Sequence, residues 1–181
     1  SRFVFGDGAA ATLISHSDVD SIGPFLMGTK GAGHDKIIVK DGGARNPITT
    51  NSSNLITDDY GNSYSDGSFY MNGTSIFVFG LKTVPKLVVD LLEKSRLEKE
   101  DIDLYIFHQA NEFLLRTLQK KLDIPDKKFF IYMKNVGNTV SSTIPIALYH
   151  AIKINKVQPG QKVMIVGFGV GLSWAGTVIT I

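Results

Sequence analysis

Not one cysteine occurs among the 181 residues. Disulfides, thiolate metal sites and a cysteine nucleophile are therefore excluded within them. Charge is sparse as well: charged residues make up 20% of the chain and the formal net charge is only +2. That balance gives no reason to expect nucleic acid or a membrane surface as partner. No run approaches the roughly 18 consecutive apolar residues of a membrane span. Ser1-Arg2-Phe3-Val4-Phe5 lacks the basic region and apolar core of a signal peptide, so cytoplasmic residence is the expectation. His16, His34 and His150 show no metal-ligand spacing, and Asp18-Val19-Asp20 lacks the glycine and downstream glutamate of a calcium loop.

Hydrophobic residues account for 43% of the chain, enough for an ordinary core, and one domain is the default. The opening run, Phe3-Val4-Phe5-Gly6-Asp7-Gly8 into small residues, looks like an interior strand of something longer. Between residues 28 and 73 periodicity fades into Gly, Asn, Ser, Asp and Thr, which predicts a functional, disordered or solvated excursion. Residues 74–96 carry an apolar stripe at helical spacing, with Pro85 expected to kink or restart the helix.

Beyond it, strands are predicted at 104–107, 129–132, 163–166 and 174–181, and helices at 110–122 and 139–154. This alternation argues for an α/β fold with a mainly parallel sheet. Only a tight glycine-rich connection joins the last two strands, so the final one should run antiparallel at an edge.

Two short segments stand at strand ends: Phe107-His108-Gln109-Ala110-Asn111 and Asn135-Val136-Gly137-Asn138-Thr139. In open α/β sheets ligands bind beyond the carboxyl ends of the strands. Alone, His108 reads as a satisfied structural histidine and Asn138 as a helix N-cap. Together they suit an oxyanion site, imidazole Nε2–H and carboxamide N–H pointing at one carbonyl oxygen. Gly167-Phe168-Gly169-Val170-Gly171 lacks the GKS/T ending of a phosphate loop and leads into another strand; it is a tight turn or a close backbone approach to a ligand. Arg116, Lys120, Lys121, Lys127 and Lys128 form a solvated face or a dock for an acidic partner.

Phe5-Gly6-Asp7-Gly8-Ala9, His108-Gln109-Ala110-Asn111, Gly137-Asn138-Thr139, and the glycine run with Ser173-Trp174 occur in the order seen in 3-oxoacyl-[acyl-carrier-protein] synthase III. The chain resembles the C-terminal part of that thiolase-fold condensing enzyme. The resemblance implies a mixed five-stranded sheet with helices on both faces, forming the C-terminal half of a thiolase-like fold. Residues 1–25 are then the last strands of the N-terminal half, 26–72 a long loop or insertion, and 73–181 the C-terminal half. The family's nucleophilic cysteine lies in its first half, so the missing thiol marks a truncated chain, inactive alone.

It also implies a decarboxylating Claisen condensation. A cysteine takes an acyl group from coenzyme A, and malonyl on acyl carrier protein loses carbon dioxide and attacks it, giving 3-oxoacyl carrier protein. His108 and Asn138 would donate to the malonyl thioester oxygen, and the Val170 backbone N–H would help hold the acyl tetrahedral intermediate. Ala110 and Asn111 would line the pantetheine channel, and Phe168 would be a wall near the decarboxylating group. Arg116, Lys120 and Lys121 would meet the carrier protein. No metal or cofactor is implied, only acyl-CoA and malonyl carrier protein as substrates, and a homodimer is expected.

Two residues depart from the family pattern. Phe113 stands where an arginine is common, with Arg116 one turn on, and Val170 replaces a frequent glycine. They leave room for a specialised-metabolism acyltransferase of the same fold. A non-catalytic carrier-binding or assembly module is the alternative from another class. A fold missing half its partners should also expose a large apolar face and self-associate.

Overall fold

The computed structural model describes residues 4–59 and 61–181. Ser1, Arg2 and Phe3, read above as the start of a strand, lie outside them. The elements in order are β1 (Leu26–Thr29), β2 (Ile37–Ile38), β3 (Ile56–Thr57), β4 (Ser63–Tyr64), β5 (Tyr70–Met71), α1 (Gly73–Ser95), β6 (Leu104–Phe107), α2 (Glu112–Lys121), α3 (Thr143–Lys153), β7 (Lys162–Gly169) and β8 (Ser173–Thr180). Short 3-10 turns occur at Gly31–Lys36, Lys99–Asp101, Asp126–Lys128 and Val140–Ser142.

The central sheet has four strands in the order β1-β8-β7-β6. β6 is buried at every position and pairs parallel to β7, Leu104 opposite Val163 through Phe107 opposite Val166. A strand covered on both faces reads as continuous apolar sequence, as Leu-Tyr-Ile-Phe does. Its alternate residues feed two separate cores. Tyr105 and Phe107 join α1 and α2 on one face, while Leu104 and Ile106 meet Ala147 and Ala151 of α3 on the other. Helices on both faces confirm the α/β class, but the sheet is mixed rather than mainly parallel: β6–β7 is parallel, while β7–β8 and β1–β8 are antiparallel.

α1 runs unbroken through Pro85. Proline lacks the N–H that would bond the carbonyl four residues back, and that carbonyl, Leu81 O, accepts instead from Lys121 Nζ of α2 at 3.0 Å. A side chain from the neighbouring helix thus supplies the missing donor. Asn72 caps the helix by accepting from Ser75 N at 2.9 Å, and Arg96 closes it in the left-handed region with φ 54°.

Three further details differ from expectation. β8 is antiparallel to β7 but does not lie at an edge, because β1 pairs along its outer side. The strand expected at 129–132 contributes a single bridge, Phe129 to Tyr105. Past that point Tyr132 N donates to the side chain of Gln109 at 2.8 Å, so a buried carboxamide replaces the ladder. Finally, the excursion between 28 and 73 is ordered: β2 pairs with β5, β3 with β4, and Ser52, 4% exposed, donates to Asp41 at 2.6 Å.

Residues 4–25 contribute two isolated bridges, Phe5 to Asn138 and Ile22 to Ile179. Between them Leu13, Ile14 and Val19 stand exposed. No helix among the described residues is long and apolar enough to cross a membrane.

Leu91 is fully buried where α1 crosses β8, while Val89 on the same helix is exposed. Leu91→Ala is expected to cost about 2–5 kcal/mol and Val89→Ala within about 0.5 kcal/mol, read from denaturant unfolding curves. Equal effects would contradict the packing described.

Candidate active site

A cavity of about 500 Å³ opens where β6, α2, α3 and the β7–β8 turn converge. Six of the residues expected in the site line it: His108, Asn138, Ala110, Asn111, Phe168 and Val170. Among the described residues no Asp, Glu, Lys or Arg lines it, and its walls are mainly aliphatic and aromatic.

His108 sits one residue past β6. Its N–H donates to Val166 O at 2.8 Å, which extends the parallel pairing and sets the chain's exit direction. The ring meets Phe168 edge to face, centroids 5.5 Å apart. Nδ1 lies 2.7 Å from Thr143 Oγ1, the first residue of α3, which leaves Nε2 for the cavity. Burial among these side chains pushes the imidazole pKa down to about 4, with the nearby Val140 carbonyl opposing the shift. The ring is therefore neutral near pH 7.

Asn138 is 6% exposed and held on every side. Its N–H donates to Val4 O at 2.9 Å, and its carbonyl accepts from Gly6 N at 3.0 Å. The neighbouring Gly137 adopts φ 64°, and a Cβ there would press on Val4 O, so glycine suits this close approach. The carboxamide Oδ1 accepts from Val140 N at 2.9 Å, and Nδ2 donates to Ala110 O at 3.3 Å. A primary amide carries two N–H groups, so one remains for a ligand.

Val140 links the two. It holds φ 55°, a costly conformation for a β-branched residue, and sits in the cavity wall. Its N–H goes to Asn138, while its carbonyl accepts from both the N–H and the hydroxyl of Thr143, the latter at 2.8 Å.

The remaining expected residues divide. Ala110 carries the carbonyl that orients Asn138, and Phe168 walls His108. Asn111 lines the cavity but also caps α2, accepting from Leu114 N at 2.8 Å. Val170 lies in the β7–β8 turn, exposed.

Arg116 and Lys120 do not line this cavity; they edge a separate depression with Asp123 and Asp126. Arg116 is engaged by Glu112, Asp126 and Gln119, and Lys121 by Leu81 O, so neither supplies a free cation to the cavity mouth.

Sequence reasoning did not find Thr143, Val140 or the wall formed by Ile37, Phe69, Met71 and Phe77. A threonine opening a helix looks like ordinary capping, and valine is the residue type least expected in left-handed backbone. Phe113 carries a partial signal: it departs from the family pattern, and it stacks on Phe77 at 5.5 Å with 15° between the rings. Among the described residues no group of His, Cys, Asp and Glu is placed to hold a metal.

The His108 shift sets a pH dependence. An unfolded imidazole titrates near 6.5 and the folded one near 4, so between these values the unfolded chain binds the extra proton. The contribution of His108 to stability is complete above pH 6.5 and declines as pH falls toward 4. Denaturant unfolding should show that slope in the native chain and less of it in His108→Gln. A His108 ring that titrates near 6.5 by NMR would contradict the burial.

Comparison with known proteins shows the family of the chain. A model for the 3-oxoacyl-[acyl-carrier-protein] synthase III C terminal matches residues 92–181. A beta-ketoacyl-[acyl-carrier-protein] synthase III from Porphyra umbilicalis is 35% identical over 179 residues, 99% of this chain and 53% of that protein. A 2.1 Å crystal structure of a 3-oxoacyl-(acyl-carrier-protein) synthase III superposes with TM-score 0.89 at 40% identity, over 93% of this chain and 50% of that one. The priming beta-ketosynthase of the R1128 polyketide pathway superposes with TM-score 0.80 at 25% identity, over 99% and 51%. The chain spans about half the length of the curated relatives it matches. With motifs, sheet order and sequence identity in agreement, the chain belongs to the 3-oxoacyl-[acyl-carrier-protein] synthase III family and corresponds to its C-terminal part.

Proposed function

We propose that this chain carries the decarboxylating portion of a condensing active site that joins an acyl group to malonyl carrier protein. The observation that carries the reading is that His108 and Asn138 enter one apolar cavity, each with a partner on the Val140–Thr143 turn. When the malonyl carbon–carbon bond breaks, carbon dioxide leaves and its electron pair forms an enolate on the thioester. The growing negative charge on the thioester oxygen is met by Nε2–H of His108 and the free N–H of Asn138. With a neutral imidazole and, among the described residues, an uncharged lining, the enolate is the dominant charge.

The enolate carbon then attacks an acyl thioester on a cysteine that these 181 residues do not contain. The new carbon–carbon bond forms, the cysteine thiolate leaves, and 3-oxoacyl carrier protein is the product. Phe168 walls the reacting end, Ala110 and Asn111 flank the pantetheine arm, and the Val170 backbone N–H faces the acyl tetrahedral intermediate. Acyl-CoA is the acyl donor, no further cofactor is required, and a cytoplasmic homodimer is the form expected.

The apolar Phe77–Phe113 stack at the cavity supports a second reading, an acyltransferase of the same fold making a specialised product. A mouth lined by aromatic faces rather than a cation favours an apolar group over a phosphate there. The likeness to a polyketide priming enzyme is consistent with it. Substrate profiling of the full-length protein separates the two readings.

In the full-length protein, His108→Ala and Asn138→Ala should each slow malonyl decarboxylation about 10²–10³-fold, the usual cost of one oxyanion donor. Undiminished decarboxylation in either would overturn the roles. The 181-residue chain alone should form no 3-oxoacyl product from acyl-CoA and malonyl carrier protein, since the covalent step needs a thiol.

For the carrier contact, Lys120→Glu should raise KM for carrier-bound malonyl while leaving a small malonyl thioester unaffected. Lys121→Glu should also lower stability, because Leu81 O loses its donor. Equal kinetics on both substrates would remove these residues from the carrier surface.

A further inference from the structure

We infer that Thr143 is a positioning residue whose hydroxyl lets His108 exchange between its two neutral tautomers, one presenting a bare Nε2 to the cavity and one presenting Nε2–H. The inference rests on the reading that His108 acts on a bound thioester.

A threonine hydroxyl has one proton to donate and lone pairs to accept with. Thr143 Oγ1 lies between two partners, 2.7 Å from His108 Nδ1 and 2.8 Å from Val140 O. The Val140 carbonyl already accepts the backbone N–H of Thr143, so it keeps a partner whichever way the hydroxyl turns. Turned to the carbonyl, the hydroxyl accepts from Nδ1–H, and Nε2 is bare. Turned to the ring, it donates to Nδ1, and the ring proton resides on Nε2.

Both arrangements leave Nδ1, Oγ1 and the Val140 carbonyl paired. A backbone carbonyl in place of Oγ1 accepts only and would hold Nδ1–H permanently. A backbone N–H donates only and would hold Nε2–H permanently. Exchange requires one proton to leave Nδ1 and one to arrive at Nε2 through water, with rotation of a single hydroxyl and no shift of a heavy atom. Among the described residues no charged side chain lines the cavity, so none of them selects the tautomer by its charge. The occupant selects it: a carbonyl oxygen draws Nε2–H.

The consequence for Thr143→Val is specific. Valine keeps the shape and removes the hydroxyl, and the acceptor left beside that position is the Val140 carbonyl, 2.8 Å from Oγ1 in the native site. That acceptor holds the proton on Nδ1 and leaves Nε2 bare.

The test uses protein with ¹⁵N-labelled histidine rings, the His108 signals being assigned with His108→Gln. The probe is a pantetheine methyl ketone that keeps the thioester carbonyl oxygen. In the native protein and in Thr143→Ser, adding the probe should shift the ring nitrogens toward the Nε2–H pattern. In Thr143→Val and Thr143→Ala they should hold the Nδ1–H pattern with or without it. In the full-length protein, Thr143→Val should lose about 10²-fold in kcat, as for one absent oxyanion donor, with KM little changed. Activity should partly return as pH falls, because the imidazolium carries Nε2–H. Thr143→Ser should stay near native.

Nε2–H appearing in Thr143→Val on probe binding, or a loss of kcat without pH recovery, would overturn the inference. Thr143→Ala reports the same nitrogen shifts if Thr143→Val does not fold. If His108→Ala decarboxylates normally, the functional reading fails, while the tautomer measurement still stands or falls by itself.

Discussion

The arrangement of this site depends on one residue, Val140, held at φ 55° between Asn138 and α3. From that conformation its N–H faces Asn138 Oδ1 and its carbonyl faces Thr143, which in turn meets His108. A right-handed residue would turn the N–H and carbonyl elsewhere and release both side chains together. Left-handed backbone costs a β-branched residue on the order of 1–3 kcal/mol and persists only where the surroundings over-determine it. Here the surroundings include the parallel contact with residues 4–6, the bonds from Thr143 to the Val140 carbonyl and the buried face of α3.

The conformation of Val140 is useful only because the sheet brings His108 to the same place. β6 pairs parallel with β7, and the pairing continues one residue further through His108 N to Val166 O. Gln109, fully buried, then ties the chain near Tyr132 to the end of β6 through Phe107 O and Tyr132 N. One carboxamide therefore joins the segment carrying His108 to the segment leading to Asn138. The apolar cavity lining raises the worth of the few hydrogen bonds inside it, since their strength is not shared with water.

The basic residues illustrate how tertiary packing can absorb a group that looks functional. Lys121 reads from sequence as a docking cation at a helix C-terminus. In the fold it donates to the carbonyl left open by Pro85 in α1. The same contact satisfies the carbonyl that Pro85 leaves open, and α1 continues through the proline without the restart that was one of the two expectations. Arg116 is similarly engaged along its own helix and at Asp126.

Much of the framework was legible in one dimension. Strand β6 and helices α1, α2 and α3 were visible because apolar spacing reports burial directly. His108 and Asn138 stood out because they sit where strand patterns end and helix patterns begin. The order of four short motifs was enough to point to the family. What sequence could not decide were relations between distant positions: that β1 covers β8, that a glutamine side chain replaces a ladder at 132, and that Lys121 serves Leu81. Nor could it decide that Thr143 Oγ1 would lie 2.7 Å from His108 Nδ1, or that a valine would take the left-handed turn between the two site residues. Local propensity speaks for each residue alone, and at Val140 it speaks for the wrong conformation. Only packing against residues far along the chain overrides it.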